Sequence, residues 1–146
     1  MSRQPFALTP ESYARPLEVV GEQITVLASK AATSGYEIFE QVGPEGSGPP
    51  PHSHEWDESF YVIDGEIEFG FGDETMTARA GTLVHLPQGT VHWFRFAAGG
   101  GRMISMTGGG NASAFFTDVD AAVSKADPDI GKLVEIGNQH GVALGN

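Results

Sequence analysis

The chain has 146 residues, 19 acidic against 8 basic side chains, a formal charge of −11 and no cysteine. That length suits one domain with a full hydrophobic core, and the missing thiols exclude disulfide scaffolding, thiol catalysis, iron–sulfur clusters and Cys-ligated zinc. The acidity argues against a nucleic-acid partner, and no apolar run is long enough to span a bilayer.

The opening residues Met1-Ser2-Arg3-Gln4-Pro5-Phe6 lack the apolar stretch of a secretory signal, so a cytoplasmic location is expected. Residues 1–23 show little periodicity and read as an N-terminal arm. From 24 to 117 the chain alternates short runs rich in Val, Ile, Phe, Tyr and Thr with Gly, Asp and Pro turns. The runs Ile24–Ser29, Tyr36–Val42, Ser59–Ile63, Ile67–Phe71, Thr75–Arg79, Thr82–Leu86, His92–Ala97 and Arg102–Thr107 predict strands of an all-β antiparallel sandwich or barrel. Asp64-Gly65 and Gly72-Asp73 read as hairpin turns, and Gly99–Gly101 and Gly108–Gly110 as loops. Residues 118–146 read as a short helical tail on the same domain. Asp118 is positioned to cap a helix through Val119–Ala126. Asp127-Pro128 opens a second helix, with Ile130, Leu133 and Val134 on one side. That stripe is expected to pack on the outer sheet.

The chemistry concentrates in four residues. His52 and His54 are two apart, so on a strand both imidazoles point to one face, and Glu58 shares their parity. His92 starts another apolar strand downstream. Three nitrogens and one carboxylate suit a single divalent transition metal: Fe, Mn, Ni, Co, Cu or Zn. Phe60 and Val62 share parity with Glu58, and Phe94 and Phe96 with His92, which makes them candidate walls of a substrate pocket. His85 is a weaker candidate, because its parity cannot be carried across the Pro87–Gly89 turn. Tyr61 and Ile63 give the same strand a second apolar face, which another sheet or subunit must cover.

With these residues in view, the sequence resembles the cupin superfamily. Gly46, His52, His54, Glu58 and Gly65 stand at every fixed position of that family's first motif, and Gly81, Pro87, Gly89 and His92 match its second. The second motif ends in Asn in the family and in Phe96 here. The resemblance covers Gly46–Phe96 and implies a jelly-roll β-barrel with the metal inside its mouth. Quercetin-dioxygenase-like cupins look similar, which implies a dioxygenase for a small aromatic or enolisable, flavonol-like substrate, with Glu58 as metal ligand and base. A redox-neutral isomerase or lyase and a non-catalytic binding module are the alternatives. Related cupins pair through sheet edges and exchanged arms, so a homodimer is expected, with a small molecule as partner and no nucleic acid or membrane.

Overall fold

The computed structural model describes residues 3–145. After a 3-10 turn at Pro10–Ser12 come β1 (Leu17–Val19), β2 (Glu22–Ala28), β3 (Tyr36–Gly43), β4 (His52–His54) and β5 (Asp57–Phe71). Next are β6 (Glu74–Arg79), β7 (Leu83–Leu86) and β8 (His92–Gly108), then α1 (Ala112–Ala122), α2 (Ile130–Gln139) and β9 (Val142–Leu144). The strands pair antiparallel in one curled sheet. Its spine is β8, whose residues 101–108 lie between β3 and β5, while 92–96 pair with the far end of β5. There His92 also faces His52 of β4.

Two long strands replace four expected short ones. Asp64-Gly65 is not a hairpin turn: β5 runs through it, with register shifts between Val62 and Asp64 and between Gly65 and Ile67. Gly65 takes φ +76°, and a Cβ there would stand 2.3 Å from the Gly100 carbonyl oxygen. The glycine serves a bulge that bends the strand, where positive φ costs it little. Opposite this bend, Gly99–Gly101 belong to β8 and are not a loop. Gly72-Asp73 does turn the chain between β5 and β6.

The tail also departs from expectation. The first helix starts at Ala112, so Asp118 lies inside it and holds His140 Nε2 at 2.7 Å. Its free N-terminus is met from across the sheet, where Ser113 N–H donates to Glu37 Oε1 at 2.9 Å. A buried carboxylate at a helix start is favoured by the helix dipole. The second helix is capped by Asp129, not Asp127, because it is the Asp129 carboxylate that accepts from Lys132 N–H.

Both helices lie over the mouth of the barrel and not on its outer sheet. Phe115, Leu133 and Ile136 pack with Val19, Ile24 and Trp56 in one core, separate from the aromatic core at the closed end around Phe60, Phe69 and Phe96. The mouth wins because β9 pins the tail there, pairing along all of β4. The outer face keeps Tyr61, Leu83 and Met106 at 47%, 63% and 48% exposure. They are close neighbours, Tyr61 facing Leu83 and Ser59 facing Met106 across the strands.

Candidate metal centre

His52 and His54 follow Pro49-Pro50-Pro51, a stretch that stiffens the approach to β4, and His92 opens β8 opposite them. One ring nitrogen from each of the three histidines lies within 4.8 Å of the others, a spacing that could hold a metal ion. His54 and His92 are buried, and His52 is half-buried.

The outer nitrogens decide how these rings present themselves. Each Nδ1 sits against a backbone carbonyl: His52 on Pro50 O at 3.0 Å, His54 on Trp56 O at 3.0 Å and His92 on Thr90 O at 2.9 Å. A carbonyl oxygen only accepts, so each Nδ1 must donate, and in a neutral ring that leaves a lone pair on Nε2. The buried Nε2 of His92 has no hydrogen-bond partner. Such outer bonds are what orient imidazoles as metal ligands. The donor set therefore fits a divalent ion.

Glu58 completes the cluster. Its Oε1 lies 3.0 Å from His54 Nε2 and 3.6 Å from His92 Nε2. Burial raises the pKa of Glu58, but the hydrogen bonds and charges that His54 and His92 offer it when protonated on Nε2, the position a metal ion would take instead of the proton, outweigh it and bring the carboxyl down to about 2. Burial, then His92, push the His52 imidazole down to about 3, so that ring is neutral.

The histidines open on a cavity of about 50 Å³, with Trp56, Phe94, Phe115 and Leu133 among its apolar walls. Trp56 stacks on His54 at 4.6 Å between ring centroids. Val20, Pro50 and Leu133 are shared with a neighbouring cleft of about 490 Å³ beside the two helices. Of the residues expected to wall a pocket, Phe94 lines this cavity. Phe60, Val62 and Phe96 instead fill the core at the closed end, since the helices bring their own aromatic rings to the mouth. His85 is exposed on the outer face, bonded to Ser59 Oγ at 2.8 Å, and plays no part here.

Two further cavity residues escaped the sequence reading. Glu22 and Gln41 are each 2% exposed, and Gln41 Nε2 donates to Glu22 Oε1 at 2.7 Å. Burial drives the Glu22 carboxyl up to about 8 despite that bond, with the Glu58 charge adding to the rise. One signal could have exposed both. Glu22 shares strand parity with buried Ile24, and Gln41 with buried Phe39.

A family model described as the cupin domain matches residues 38–106, the stretch that holds all four of these ligand candidates. Residues 38–106 are a cupin domain. This cupin is 26% identical over 101 residues to quercetin 2,3-dioxygenase of Bacillus subtilis (strain 168), a match that covers 67% of the chain and 30% of that enzyme. It thus spans under a third of that relative's length. Among solved structures, a RmlC-like cupin from Shewanella frigidimarina superposes with a TM-score of 0.68 at 16% identity, covering 78% of this cupin and 99% of the other. A polyketide cyclase from Streptomyces resistomycificus gives 0.63 at 18% identity, covering 72% of this cupin and 80% of the cyclase. At these identities the structural likeness is one of fold.

Proposed function

We propose that this cupin is a metal-dependent dioxygenase for a small aromatic or enolisable substrate, with one divalent transition metal held by His52, His54, His92 and Glu58. The observation that carries this reading is the set of three Nδ1–carbonyl bonds, which turn three Nε2 lone pairs toward one point. When bound, a redox-active metal supplies a Lewis acid and an electron relay between a chelating substrate and dioxygen. The Glu58 carboxylate, ionised and held between two histidines, can take the proton of a substrate hydroxyl. Trp56, Phe94 and Leu133 exclude water and hold an apolar ring. A cavity of about 50 Å³ takes few heavy atoms, so a larger molecule needs Val20, Pro50 and Leu133 to part or must extend into the neighbouring cleft. A three-ring flavonol is therefore less suited than a single ring or short diketone. Similarity to a quercetin dioxygenase supports the reaction class.

Oxygen uptake by the Fe-, Mn- and Ni-loaded protein, tested on catechols, diketones and flavonols, decides the matter. Uptake with any of them supports the reading, and turnover under argon replaces it with a redox-neutral isomerase or lyase. That second reading has its own support in Glu22 and Glu58, two carboxyls at one cavity with pKa values pushed in opposite directions, as an acid–base pair requires. Binding without turnover of any kind would leave a ligand-binding module. The exposed Tyr61, Leu83 and Met106 support pairing of two copies through the outer face as part of the same proposal.

A further inference from the structure

The Glu22–Gln41 pair is a buried polar spot in a wall that is otherwise mostly apolar, and it stands on β2 and β3, strands that carry none of the ligand candidates. The pair is incomplete. Gln41 spends its amide N–H on Glu22 Oε1, while its own Oε1 is buried with no hydrogen-bond partner. Interiors tolerate few such atoms, because an acceptor stripped of water and given no donor weakens the folded state. An acceptor left open at the wall of a cavity is matched by a donor arriving with a ligand.

We infer that Glu22 and Gln41 form a recognition site for a substrate hydroxyl, and that the ligand is a small hydroxylated ring. A hydroxyl supplies the donor that Gln41 Oε1 lacks and still leaves its own lone pairs free. A carboxylate or phosphate brings only acceptors and would leave Gln41 Oε1 unpaired, so this atom gives an anionic end nothing. Ile24, Phe94, Phe115 and Leu133 around the pair take the ring. This assignment rests on the cavity being the substrate site proposed above, and it concerns selection of the ligand and not the reaction performed on it. Sites built to bind a hydroxyl discriminate strongly against the analogue that lacks it, since the protein group is then left unpaired.

The probes are phenol and toluene, alike in size and differing in the hydroxyl, titrated into zinc-loaded protein and followed by ligand-observed NMR. Wild type should favour phenol by about tenfold or more. In Gln41→Met, which keeps the volume and removes both amide atoms, the preference should vanish. Glu22→Gln guards against a misfolded variant: its new amide can donate to Gln41 Oε1, so the pair closes on itself and the preference should again shrink at unchanged zinc content. If both variants keep the wild-type preference, the hydroxyl is read by the metal or the histidines, and the assignment is overturned. Failure of wild type to distinguish the probes, or to bind either, overturns it equally. Oxygen uptake does not enter this test, so the dioxygenase reading can fail while the pair's role stands.

Discussion

Removing β9 should separate the stability of the fold from the integrity of the metal centre. In that short strand, Val142 is 3% exposed and pairs with His54, while Ala143 and Leu144 pair with Ser53 and His52. Gly145 N–H adds a bond to Pro51 O at 2.8 Å. Burial of the valine is worth about 2 kcal/mol and each of a few ladder hydrogen bonds about 1 kcal/mol, so deletion of residues 142–146 should cost about 4–6 kcal/mol. A chain of this size loses roughly 3 °C of melting temperature per kcal/mol, which gives a drop of about 10–20 °C. The closed-end core around Phe60 and Phe96 does not involve β9, so a folded protein should remain at low temperature. Its β4 would keep one registered partner, His52 opposite His92, and His54 would lose its strand partner and with it the hold on its backbone. Zinc affinity should fall about 100-fold, the upper range for loss of groups that orient metal ligands. Competition against a chromophoric chelator at 10–15 °C, with circular dichroism to monitor the fold, measures this directly. Zinc affinity within threefold of wild type in the folded truncation would refute the argument.

Other expectations follow from the same geometry. His54→Ala should lose the metal by elemental analysis, and unchanged stoichiometry would remove the ligand assignment. Glu58→Gln should lower turnover at least 100-fold while occupancy falls much less if the carboxylate serves as base; parallel losses would make it a ligand only. Glu22, with a pKa raised from 4.5 to about 8, contributes stability that is full below about pH 4.5 and is lost as pH rises toward 8. Urea titrations of metal-free protein should show this decline, about 5 kcal/mol at most, and Glu22→Gln should flatten it. A slope unchanged by the substitution would show that Glu22 is ionised throughout. Sedimentation should find a dimer at micromolar concentration that Leu83→Lys dissociates, and a monomeric wild type would dispose of the outer-face interface.

The three-histidine cluster was legible because its spacing is set by local geometry: two histidines of one parity on a strand, and a Pro-Gly turn that delivers the third. The long strands were not, since a glycine that supports a bulge reads the same as one that supports a turn. Gly65 and Gly72 both take positive φ and differ in what lies across from them, which no local pattern records. The helical stripe was read at Ile130, Leu133 and Val134, but Leu133 alone of these is buried and Ile130 is exposed, with Ile136 on the inward face instead; periodicity says that a face is buried and not against what. The pairing of β9 with β4 joins residues about ninety apart, and that contact sent the tail to the mouth. Glu22 and Gln41 were not singled out, because burial of a polar side chain is decided by the sheet around it, although the parity of Ile24 and Phe39 marked the inward face.

The three acceptors that fix the histidine tautomers are main-chain carbonyls of Pro50, Trp56 and Thr90. A side-chain acceptor can be erased by a single codon change, whereas a carbonyl persists through every substitution that keeps the backbone path. The orientation of the ligands is thus insulated from drift in the residues behind them. Phe96 at the end of the second motif, where the family carries Asn, is the kind of change such a site can absorb. Variation can accumulate in the cavity wall and cap, altering what is bound, without first dismantling the place where a metal would sit.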